Sequence, residues 1–74
     1  MTQFITAVAD SIERLTGTAP ARGTARALLI VTVGLGLAVQ RFADGTITRG
    51  ELDTHVARAL EAQREQDAHY AKFW

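Results

Sequence analysis

Two glutamate–histidine pairs, Glu51 with His55 and Glu65 with His69, are the first residues of this chain that could do chemistry. A spacing of four on a helix sets a carboxylate beside an imidazole, an arrangement able to hold a metal or relay a proton. The two pairs lie fourteen residues apart, about 21 Å along a helix at 1.5 Å per residue. No single helix can therefore join them into one site, and an isolated pair lacks the third ligand that zinc normally takes. Ser11 is the sole serine, distant in sequence from either histidine and outside any strand–turn–helix context that would expose a nucleophile. Cysteine is absent, which removes disulfides, thiolate metal sites and thiol nucleophiles. Gly34 and Gly36 form a Gly-Leu-Gly step without the third glycine or the acidic residue of a dinucleotide fingerprint. A non-enzymatic protein without cofactor or metal is the expectation.

Composition narrows the partners. Eight Lys and Arg balance eight Asp and Glu in 74 residues, so the chain has no global field to draw it to nucleic acid or anionic lipid. The charge is nevertheless segregated. Residues 1–13 hold Asp10 and Glu13, residues 14–49 hold five arginines against Asp44, and residues 51–74 hold five acids against three bases. Arg49, Thr54 and Arg58 follow a short turn, as in a DNA-reading helix, but Glu51 and Asp53 would meet the phosphates, so nucleic acid is not an expected partner.

The stretch Asp44-Gly-Thr-Ile-Thr-Arg-Gly-Glu-Leu52 resembles the second half of an EF-hand calcium loop. Gly45 would take the tight turn, Thr46 the backbone-carbonyl ligand, Ile47 the loop hydrophobe and Glu51 the closing bidentate acid. In that alignment Gln40 and Phe42 fall where the first and third ligands belong, and Asp44 and Glu51 are the only carboxylates. Calcium binding is accordingly not expected. The same residues also resemble the helix–turn–helix of SHOCT-type short modules, a likeness that implies a small interaction or oligomerisation element. Neither resemblance extends over the whole chain.

These residues must be positioned by helices. Phe4, Ile5, Val8, Ile12 and Leu15 recur at helical spacing opposite Asp10, Glu13 and Arg14, which predicts an amphipathic helix over about 3–16. Gly17, Pro20 and Gly23 make 17–23 a connector. Thr48 and Glu51 match a capping box opening a third helix over about 48–71. Its seam, Leu52, Val56, Ala59, Gln63, Gln66, Tyr70 and Phe73, is apolar at both ends and polar between, which suits a helix whose first half packs and whose second half is solvated. Between them, residues 24–42 read as one central helix, apolar on two sides. Val31, Leu35, Leu28, Val39 and Phe42 lie on one face, with Leu29, Ile30, Val33 and Leu37 nearly opposite. The expected fold class is all-α, a single small domain of three helices over 1–74.

Two thin neighbouring stripes are too little to cover a two-sided helix. Leaving Leu29, Ile30, Val33 and Leu37 in water would forfeit about 6–12 kcal/mol at about 1.5–3 per side chain, comparable with the whole stability of a small domain. A protein partner is the expected cover, with Gly34 and Gly36 permitting close backbone approach and Tyr70, Phe73 and Trp74 anchoring the tail. The sequence therefore predicts a structural or adaptor subunit, self-associating or docked in a larger assembly and cytoplasmic or assembly-bound. The alternative is a single-pass membrane accessory protein with a short span at about 25–43. The thirteen residues from Ala27 to Val39 cover about 20 Å of a hydrocarbon core near 30 Å.

Overall fold

The computed structural model describes residues 2–32 and 34–71, with side chains from Gln3 to His69 apart from Val33. It is all-helical over the described residues, in four helices: α1 (Thr2–Thr16), α2 (Thr24–Val31), α3 (Leu35–Ala43) and α4 (Arg49–Ala71). The expected count of three is corrected here. The central rod expected over 24–42 is two helices, α2 and α3, whose axes turn through 111°.

Local chemistry accounts for the break. Ile30, Val31 and Thr32 are consecutive β-branched residues, each losing side-chain freedom against the preceding helical turn. Thr32 leaves the helix in an extended conformation (φ −103°, ψ 107°), its N–H still donating to the Leu28 carbonyl. Gly34 then takes φ +91° in the left-handed region, which costs a residue with a Cβ about 1–2 kcal/mol. The Leu35 N–H donates to the Thr32 carbonyl at 3.3 Å, and the Ala38 N–H to the Gly34 carbonyl at 3.1 Å. The chain thus re-enters a helix at once, in a new direction.

On both sides of the bend the same face, that of Leu28, Leu35 and Val39, is turned to the core, while Ile30 and Leu37 stay exposed. α2 buries Ala25 and Leu28, while α3 buries Leu35, Ala38 and Val39. They meet Val8 and Ile12 of α1 and Leu52, Val56 and Ala59 of α4. Phe4, Ile5, Leu29, Phe42 and Ile47 pack against this cluster from its margin. Leu15, expected with the core residues of the first helix, is 44% exposed.

α4 starts as its sequence dictates. The Glu51 N–H donates to Thr48 Oγ1 at 3.2 Å, and the Thr48 N–H donates to Glu51 Oε1 at 3.3 Å. This reciprocal pair satisfies two donors that a helix start leaves open. Before it, the Gly45 N–H donates to the Phe42 carbonyl and the Thr46 N–H to the Arg41 carbonyl, closing α3 with Gly45 at φ +79°. Glu51 is thereby engaged in a helix cap.

Two buried side-chain atoms among the described residues lack a hydrogen-bond partner, Ser11 Oγ and Asp53 Oδ1. Ser11 is fully buried and its Oγ has no hydrogen-bond partner. A buried hydroxyl without a partner costs about 1–3 kcal/mol. Ser11→Ala is expected to raise stability by about 1 kcal/mol, read as a higher urea midpoint at an unchanged denaturant slope; a lower midpoint would show that the hydroxyl has found a partner.

Candidate interaction surface

Among the described residues, the large apolar side chains most exposed to water lie at and beside the bend between α2 and α3. Ile30 is 67% exposed, Val31 56% and Leu37 53%. Of the stripe expected to meet a partner, Ile30 and Leu37 therefore face water, Leu29 is half-buried against the core, and Val33 lies outside the described residues. Val31 belongs to the exposed set although the straight-helix projection put it on the face with Leu28 and Leu35. Once the helix ends at Val31, that projection no longer applies. Its signal in the sequence was the β-branched run just ahead of Gly34.

Gly34 and Gly36 act differently from the close-approach role expected of them, as far as this chain alone is concerned. A Cβ built at either would meet no atom within 4 Å. Gly34 supplies the left-handed turn, while Gly36 stands half-buried in the first turn of α3. Tyr70 lies in the last turn of α4 with its side chain undescribed, and Phe73 and Trp74 lie outside the described residues.

On the inner side of the bend an open groove of about 360 Å³ runs between the bend and α4. Thr32, Gly34 and Leu35 form one wall; His55, Arg58, Ala59 and Ala62 form the other. Arg58 brings a positive charge to the groove, and no acid lines it.

A second polar cluster binds helices together on the other side of the bundle. Asp53 accepts from Arg14 Nε at 3.0 Å, tying α4 to α1. Arg49 Nε stands 3.7 Å from the other Asp53 oxygen. The Arg49 guanidinium also lies 5.2 Å from the Phe42 ring centroid and donates through Nη2 to the Ala7 carbonyl at 3.5 Å. One arginine thus touches α1, α3 and α4, with a cation–π contact worth about 0.5–1 kcal/mol at such a partly exposed site. The sequence analysis did not single out this cluster, although Arg49 and Asp53 stand at helical i, i+4 spacing. Beside it Asp10, Glu13, Arg14 and Arg49 line an open groove of about 480 Å³. Both arginines there are already engaged by Asp53, and the arrangement supplies cohesion between helices.

His55 and His69 are both exposed on α4. Among the described residues no three His, Asp or Glu side chains converge as metal ligands would. Comparison of the chain with family models, with characterised proteins and with solved structures returned no match.

Proposed function

We propose that this protein is a non-enzymatic association module, a structural or adaptor subunit that docks through the α2–α3 bend. The observation carrying this reading is the coincidence of Ile30, Val31 and Leu37, each more than half exposed, at and beside the bend. Covering what remains exposed would contribute about 1 kcal/mol per side chain, taking about half of the full burial value of 1.5–3. The preferred partner is protein, a second copy or a larger assembly. Zero net charge gives no support to nucleic acid.

A second reading, a small membrane accessory protein, draws on one feature. No single helix among the described residues is long and apolar enough to cross a membrane, but α2 and α3 together have the length and composition of a span, bent by 111°. Under this reading the bend would dip into the bilayer or open into a short span.

Ile30→Ser with Leu37→Ser tests the first reading. Both side chains lie outside the buried core, so the doubly substituted chain should keep its helical circular dichroism and its melting transition. Sedimentation velocity at about 50 μM, well within the range of ordinary protein association, should show a multimer for the parent and the 8.0 kDa species for the variant. An identical sedimentation profile for the two removes the bend as a docking surface; recovery of the parent only in detergent, with release by the variant, supports the membrane reading.

A further inference from the structure

The occupant of this surface can be deduced from α4. Core residues on α4 end at Ala59, and from Glu61 to His69 every side chain is exposed except half-buried Gln63. The molecule is 43 Å long but only 23 and 21 Å across, and residues 61–71 account for about 16 Å at 1.5 Å per residue. The projecting half of α4 is therefore nearly as long as the body is wide.

Its charge is opposite to that of the groove. Glu61, Glu65 and Asp67 stand against Arg64 alone in residues 61–69, while the groove is lined by Arg58 and by no acid. One face of α4 also links the two regions. Arg58, Ala62, Glu65 and His69 recur at steps of four, three and four, so they share a side of the helix. Arg58 and Ala62 on that side line the groove beneath the bend. The face is basic where it meets the groove and acidic where it projects. Such a face is complementary to itself when reversed.

We propose that the groove and bend receive the projecting half of α4 from a second copy of this chain, in an antiparallel two-fold pair that sets Glu65 of each copy near Arg58 of the other. This rests on the reading of the bend as a docking surface and names its partner. A two-fold axis between Glu61 and Ala62 generates that register, and a self-complementary interface closes after two copies instead of growing into a fibre. The projecting helix of each protomer then lies in its partner's groove against Thr32, Gly34 and Leu35, and both copies gain cover at once. Ala62, on the shared face and beside the axis, lets the two backbones approach without displacing a side chain there.

Reversing the charges in two separate chains provides the test. Glu65→Lys and Arg58→Glu each alter an exposed side chain, and in a two-fold pair each places like charges together twice. Sedimentation equilibrium should show a dimer for the parent and dissociation constants raised at least about tenfold for each variant alone, since juxtaposed like charges oppose association strongly. An equimolar mixture of the two variants should recover a heterodimer, because both cross-pairs then have opposite signs. The proposal is overturned if either variant dimerises as the parent does, or if the mixture remains monomeric. Loss of association in the Ile30→Ser, Leu37→Ser chain with no effect of charge reversal would overturn the antiparallel pair while leaving the bend as a docking surface for something else. A parent chain that stays monomeric yet sediments with vesicles of three parts phosphatidylcholine to one part phosphatidylserine would overturn it in favour of lipid.

Discussion

Leu52→Ala should destabilise the protein by about 3–4 kcal/mol, within the range for removing a fully buried leucine from a packed core. Leu52 is fully buried in the first turns of α4, and α4 packs against α1, α2 and α3. A cavity there would loosen the element that the other three share. At about 0.05–0.15 kcal/mol per residue, a chain of 74 residues holds about 4–11 kcal/mol in all, so the substitution takes a third of the stability or more. Urea unfolding followed by circular dichroism measures it. Leu60→Ala, at a half-buried position on the margin of the same cluster, should cost well under half as much. Equal costs at the two positions would mean that the core does not end where the burial of Ala59 and the exposure of Glu61 place its boundary.

Gly34→Ala distinguishes a bent central segment from a straight one by sign. In a continuous helix over 24–42, alanine in place of glycine would gain about 1 kcal/mol from helix propensity. At φ +91° the same substitution should instead cost about 1–2 kcal/mol, because a Cβ in the left-handed region meets its own backbone. No neighbouring side chain complicates the measurement, since the added Cβ has open space around it. The two geometries therefore differ by about 2–3 kcal/mol in what this single methyl group does. A thermal melt read against the parent decides between them: a lower transition supports the bend, a higher one the straight rod. The measurement bears on function too, because the exposure of Val31 beside Ile30 and Leu37 belongs to the bent segment.

The particular elements show what the sequence made legible. The amphipathic stripe of Val8 and Ile12 and the cap formed by Thr48 and Glu51 are local patterns, and each led directly to its helix. The first half of α4 buries Leu52, Val56 and Ala59, and the solvated second half follows where the glutamines replace apolar residues on the seam. The bend was not legible by the same means. A helical projection assumes a straight axis, and neither the β-branched run nor Gly34 alone forces a break. Together they end α2 at Val31 and start α3 at Leu35. The excess of apolar surface was visible in the composition of 27–39, and the stripe of Leu29, Ile30, Val33 and Leu37 was expected to need a partner. α1 and α4 cover Leu28, Leu35 and Val39; Leu29 is half-buried, and the remainder at Ile30, Val31 and Leu37 is exposed. The contacts of Arg49 with three helices were illegible for a related reason, since they depend on where α1 and α3 come to rest.

The central claim is that this remainder is covered by association, and hydrogen exchange measured at several protein concentrations tests it most directly. Exchange of the amides from Leu29 to Ala38 should slow as the concentration rises from about 1 to 500 μM, a span that brackets ordinary micromolar self-association, while amides around Val8 and Val56, already protected by the core, should change little. Protection at the bend that is the same at every concentration, with the protein sedimenting throughout at 8.0 kDa, would contradict it.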